Sequence, residues 1–213
     1  MTTNDLIDRL VTELTPAARG LVVRRIAMGV AVGLAASAAL MLTLLGARQN
    51  LLAVLSSEVY WLKSGYALLL AACGFWAVAR LSRPAGKGGA PGIIGALLVF
   101  VFAGLALSDL LAAPEAMRAE LIVGKSALVC PWLIALLAAP VVAGLLWAMR
   151  GLAPTELRGA GFAAGLMGGA VGAWVYAFHC PESGTPFIAL WYTAGIMIAG
   201  AIGLFLGPRL LRW

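Results

Sequence analysis

The chain of 213 residues is 62% hydrophobic and only 11% charged, with a mean hydropathy of +0.99. A soluble domain is nearer half apolar and a quarter charged; one aqueous core cannot hide this much apolar surface, so lipid must be the solvent for most of the chain. The formal charge of +6 does not mark a nucleic-acid binder, because the basic residues form neither a run nor a patch interleaved with aromatics.

Residues 1–25 are the one soluble-looking stretch of any length. Thr3 or Asn4 can cap a helix on which Leu6, Ile7, Leu10, Val11 and Leu14 recur at helical spacing. Asp5, Asp8, Arg9, Thr12 and Glu13 occupy the other face, and Thr15-Pro16 interrupts, since a residue before proline avoids the helical region. Such a helix either lies on the membrane or the inner loops, or seats its apolar stripe in a partner's groove. Surface anchors carry Lys and Arg on the polar face, so the acids here favour a protein partner.

Six uncharged or nearly uncharged stretches then reach the roughly 20 residues that span a bilayer. They run over about 26–46, 61–81, 92–113, 126–149, 159–178 and 187–206. The first is preceded by polar residues and lacks a small-residue cleavage site after it, so it is expected to remain as a helix and not to act as a signal peptide. Lys63 lies near the start of the second, close enough to snorkel, and Cys73 at its middle reads as a small buried hydrophobe. The third holds Asp109, an acid at membrane depth whose candidate partners are Lys63, Arg118 and Lys125, unless it snorkels to the interface. Gly165, Gly168, Gly169 and Gly172 in the fifth read as close helix packing, and Thr155 stands where it can cap that helix.

The expected fold is all-α and polytopic. Residues 26–213 form one domain of six transmembrane helices in three antiparallel hairpins, because the connections 47–60, 82–91, 114–125, 150–158 and 179–186 are all short. Orientation follows from the cations. With the N-terminus inside, the inner segments hold Arg9, Arg19, Arg24, Arg25, Arg80, Arg83, Lys87, Arg150, Arg158, Arg209 and Arg212. Arg48, Lys63, Arg118 and Lys125 remain outside, so eleven of the 15 basic residues lie inside. Both termini are therefore expected on the cytoplasmic side.

That orientation puts two Cys-Pro pairs on the outer face. Cys130-Pro131 lies near the start of the fourth span, where a helix N-terminus favours thiolate. Cys180-Pro181 lies in His179-Cys180-Pro181-Glu182, and thiolate, imidazole and carboxylate are all ligands for a borderline or soft divalent metal. Three readings of the pair stay open: a structural disulfide, a reversible thiol switch or metal sensor, and two unrelated thiols. No CxxC, HExxH, P-loop or GxSxG constellation is present, so no enzyme is indicated.

A likeness follows from these residues taken together. Thr-Asn-Asp-Leu-Ile-Asp-Arg-Leu precedes the spans, and Cys130-Pro131 opens the fourth. His179-Cys180-Pro181-Glu182 then leads into Phe187-Ile188-Ala189-Leu190-Trp191-Tyr192, Gly195 and a terminal Gly207-Pro208-Arg209-Leu210-Leu211-Arg212-Trp213. The whole resembles the NrsF-like (DUF1109) family, negative regulators of the extracytoplasmic-function sigma factor F. The resemblance implies an inner-membrane anti-sigma factor that holds a cytoplasmic sigma factor and releases it under metal or oxidative stress. In that family two outer-side cysteines are needed for the response, and they map onto Cys130 and Cys180. No cofactor is required; a transient heavy-metal ion at that pair and oxidation of it are both open as the trigger, and no direct contact with nucleic acid is implied. A small transporter or metal-efflux component is the alternative, and it calls for a polar path at mid-bilayer. A thiol oxidoreductase would need a quinone or a CxxC partner.

Overall fold

The computed structural model describes residues 3–13, 20–48 and 56–212. Among these the chain forms eight helices and no strand. They are α1 (Thr3–Glu13), α2 (Leu21–Leu44), α3 (Glu58–Leu81), α4 (Gly89–Ala112), α5 (Glu115–Val123), α6 (Cys130–Arg150), α7 (Leu157–Tyr176) and α8 (Thr185–Leu210).

Five of them, α2, α3, α4, α6 and α8, are long and apolar enough to cross a membrane. α7 has 20 residues but six are glycine, which lowers its apolarity without shortening it. Its position explains the composition. Fourteen of its residues are buried, because α3, α6 and α8 surround it and it meets protein more than lipid. A helix in that place gains from small side chains, since dispersion between closely approaching backbones drives association in lipid.

The contacts show this directly. A Cβ on Gly169 would lie 2.8 Å from the Cα of Ile196, and one on Gly172 would lie 2.7 Å from the backbone N of Ala138. Gly161 and Gly165 meet Gly203 and Ala199 in turn, so α7 and α8 run antiparallel with almost no side chain between them. The same logic joins α2 to α6: a Cβ on Gly29 would meet the carbonyl O of Gly144 at 2.5 Å, and one on Gly33 the Cα of Val141 at 2.5 Å. α2 therefore packs mainly on α6 and only lightly on α3, its neighbour in sequence. α3 and α4 pair along Tyr66–Phe102, whose rings stack at 4.1 Å, and Cys73–Gly95. Of the five long apolar helices α4 is the least enclosed, with Phe100 77% exposed to the surroundings.

Several local expectations are revised. The connection over 114–125 is not a plain loop, because Glu115–Val123 forms α5, opened by Pro114 with Glu115 favourably placed at the positive helix end. Thr155 does not cap α7: Glu156 stands at that position, and Thr155 Oγ1 instead accepts from the Ala85 N–H at 3.3 Å, joining the α3–α4 and α6–α7 connections. α8 contains one π-helical turn at Ile188–Tyr192, a wide turn that commonly marks a functional site. Lys63 does not snorkel; it points inward and is 2% exposed.

Candidate functional site

The connection between α7 and α8 folds back over the end of the bundle that carries the start of α6. Proline at the second position of α6 suits a helix start, where a missing N–H costs nothing, and leaves Cys130 as the first helical residue after Val129. Cys130 and Cys180 are both fully buried free thiols. They are neighbours that interact as a hydrogen-bonding pair, although 50 positions separate them in sequence.

Two tyrosines close the pocket. Tyr176, in the last turn of α7, borders both thiols, and Tyr192, on the π turn of α8, borders Cys180. The Tyr176 and Tyr192 rings lie 5.9 Å apart. Tyr192 Oη is buried, and the polar group beside it is the Cys180 sulfur.

Cations hold the Cys180 loop from two other elements. Lys63 Nζ donates to the carbonyls of Cys180 at 3.2 Å and Glu182 at 3.1 Å, and lies 5.5 Å from the Tyr192 ring centroid. Arg48, just beyond α2, donates through Nη1 to the same Cys180 carbonyl at 3.2 Å, and its N–H bonds Phe178 O. No carboxylate forms an ion pair with Lys63 among the described residues. The hydrogen bond with Cys130 pulls the Cys180 thiol from the ordinary cysteine range down to about 6; burial opposes this, while the Lys63 charge, Tyr192 and the Glu182 backbone assist. The site thus holds a thiolate-prone sulfur at ordinary pH.

His179 and Glu182 take other roles. His179 Nδ1 donates to the Gly46 carbonyl at 2.9 Å, tying the loop to the end of α2. Glu182 Oε1 accepts from the Lys125 N–H at 2.8 Å and Ser126 Oγ at 3.2 Å, stabilising the turn into α6. The described residues contain no group of three or more His, Cys, Asp or Glu able to share one ion. What remains is a two-thiol site. That donor set is too small for a tetrahedral zinc site.

Elsewhere, Asp109 is exposed on α4 and pairs with none of the described cations. Arg118, one of its expected partners, instead lies 3.9 Å from Glu115 and donates to the Ala113 carbonyl at 3.1 Å. Cys73 is half-buried, against the expected full burial. On α1, Ile7 and Val11 are 49% and 63% exposed on one face, and Asp5 and Asp8 are exposed as well. Leu14 lies outside the described residues, and of Leu6 and Leu10 only the helical backbone is described.

Sequence reading found the two cysteines but missed Tyr176, Tyr192, Arg48 and Lys63 as their surroundings. The one available signal was Lys63 itself, a cation inside an apolar stretch, which by default has a partner in the bundle interior.

Comparison with known proteins bears on this arrangement. The family model described as negative regulator of sigma F (NrsF) matches residues 10–213. A curated relative from Azospira oryzae, the probable anti-sigma-F factor NrsF, is 42% identical over 214 residues, with 100% of both chains covered. The anti-sigma-F factor NrsF of Caulobacter vibrioides is 39% identical over 214 residues, again with 100% of both chains covered. No solved structure matches.

Proposed function

The chain belongs to the NrsF family of negative regulators of sigma F, a regulatory and non-enzymatic family, and we propose that it is an inner-membrane anti-sigma factor whose paired cysteines sense thiol-reactive stress. The partner is an extracytoplasmic-function sigma factor held on the cytoplasmic face. α7 crosses the membrane together with the five more apolar helices, giving six spans. The 11-to-4 distribution of basic residues then places both termini inside and the Cys130–Cys180 pocket on the periplasmic side. Residues 1–25 form the sigma-binding segment, and residues 26–213 the membrane domain.

The sensing half of this reading rests on one observation: two buried thiols, drawn from α6 and from the α7–α8 connection, lie side by side. An oxidant joins them by removing two electrons and two protons. A soft metal ion joins them by displacing the protons and taking both sulfurs as ligands. Either event replaces a hydrogen-bonded thiol pair by a rigid link and draws the α7–α8 connection onto α6.

The route inward supports the reading. α6 packs on α2 through Gly29, Gly33, Gly144 and Val141, backbone against backbone. At the inner end Arg25 of α2 packs on Gly151, immediately beyond α6. A shift of α6 cannot be absorbed by soft side chains there, so it moves α2, which leads in sequence to α1. To move the complex from almost fully held to almost fully released, the signal must favour the released form by roughly 5.5 kcal/mol.

The test is transcription. Cys130→Ser and Cys180→Ser, each in the full-length protein, are expected to keep the sigma-dependent promoter silent at rest and abolish its induction by a soft metal or a thiol oxidant. Full induction in both variants would remove the cysteines from the mechanism.

A further inference from the structure

α4 leaves a gap on its inner half. It pairs with α3 and touches the start of α8, yet makes no substantial contact with α7. Between α3, α4, α7 and α8 lies a cavity of about 630 Å³. This is within the roughly 300–1,000 Å³ of ligand pockets, which are apolar with a few placed polar groups. Its walls are apolar, and the α4 residues that line it are small, among them Gly89 and Gly92, which have nothing within 4 Å of a Cβ position. Elsewhere in this bundle glycines permit close backbone contact, as on α7. Here they face open space.

The shape of the gap is informative. Along α3 it runs from Leu70 to Leu81, eleven residues or roughly 16 Å. That is about one leaflet of a hydrocarbon core roughly 30 Å thick. Its charged groups stand at one end only, where Lys87 and Glu156 form the mouth. Arg83 belongs to the same connection as Lys87, and Arg80, in the last turn of α3, donates through Nε to the Lys87 carbonyl at 2.9 Å, tying that connection to the helix end. One base and one acid thus line the mouth, Arg80 and Arg83 beside it make its surroundings net cationic, and the shaft is apolar and one leaflet deep.

We propose that this cavity is a binding site for one anionic phospholipid, an acyl chain lying between α4 and the α7–α8 pair and the headgroup phosphate on Lys87. Hydrocarbon is the natural filling of an apolar gap inside a bilayer, and the basic mouth selects the headgroup. Basic pockets between transmembrane helices on the cytoplasmic side bind anionic lipid headgroups in this way, each Lys or Arg near the surface adding about 1 kcal/mol, or roughly fivefold. The site stands apart from the cysteine pocket and requires only that the helices lie in a membrane.

The experiment is native mass spectrometry of the full-length protein in mild detergent, titrated separately with phosphatidylglycerol and phosphatidylcholine of matched chains. One phosphatidylglycerol is expected to bind at least about fivefold more tightly than phosphatidylcholine. Lys87→Glu should abolish that preference. Gly92→Phe, at a cavity-lining position with nothing within 4 Å of the added Cβ, should remove one bound lipid. Gly104→Phe, on α4 but away from the cavity and equally unobstructed, should leave binding as it is. Equal affinity for the two lipids would reduce the cavity to a hydrocarbon gap and overturn the headgroup site. Unchanged lipid stoichiometry in Gly92→Phe would place the lipid elsewhere and overturn the proposal.

Discussion

Lys63 is 2% exposed, and its hydrogen bonds among the described residues go to the carbonyls of Cys180 and Glu182. A buried cation with no ion pair among the described residues raises the local potential, and the neighbouring sulfurs, with Glu182 beyond them, answer it. The sign of the pH dependence follows. Cys180 has its folded-state acidity strengthened, so thiolate is present above about pH 6 and is lost as pH falls through that value. The rate of Cys180 alkylation is therefore expected to rise with an inflection near pH 6, well below the ordinary thiol value of roughly 8.5. Cys130→Ala, which removes the largest stabilising contact, should move that inflection upward; Lys63→Met should move it upward by less. An inflection unchanged by both variants would dissociate the thiol chemistry from this pocket. At this scale the sequence conveyed which cysteines share a face, because membrane topology alone decides it. It did not convey that His179 and Glu182 turn away, since adjacency in sequence says nothing of which way a loop side chain is drawn. His179 goes to Gly46 and Glu182 to the turn before α6, each taken by backbone groups that otherwise stay unpaired.

Among the elements, α7 shows most plainly how composition is read through packing. Its glycines were recognisable as packing positions, and contacts under 3 Å to added Cβ atoms bear this out. Gly165→Val is expected to destabilise the bundle by about 1–3 kcal/mol through overpacking against Ala199 and Gly200. Gly65→Ala on α3, with nothing within 4 Å, should be neutral or stabilising by up to about 1 kcal/mol, because alanine lowers the entropy cost of a helix. Unfolding in mixed detergent micelles separates the two. α1 was legible from its apolar spacing, and its described helix carries Ile7 and Val11 outward. Replacing both by Asp is expected to weaken sigma-factor capture by more than about tenfold while membrane insertion is retained, as apolar anchors in a groove carry such contacts. Capture at the parental level would move the binding surface elsewhere. α5 and the π turn of α8 escaped sequence reading for a physical reason. Nine residues are too few for a periodic stripe to stand out, and a π turn depends on one inserted residue that leaves no compositional mark.

For the molecule as a whole, hydropathy and the distribution of cations supplied an all-helical membrane chain before any coordinates. The pairing of helices needed the structure. α2 joins α6, not its sequence neighbour α3, because Gly29 and Gly33 match Gly144 and Val141 in spacing, and such matches are invisible in one strand of text. The orientation is testable on its own. A fluorescent protein that matures only in the cytoplasm, fused after Trp213, is expected to fluoresce, and a cysteine placed at Ser183 in a chain lacking the native three should react with an impermeant maleimide from the periplasmic side. The central claim, that an outer thiol pair controls an inner partner, is tested most directly by co-purification. The full-length protein is solubilised with its sigma factor from cells before and after brief exposure to a soft metal or thiol oxidant. The sigma factor is expected to accompany the untreated protein, to leave it on treatment, and to stay bound under the same treatment when Cys130 and Cys180 are both serine. Release that proceeds equally in the serine variant would contradict the account.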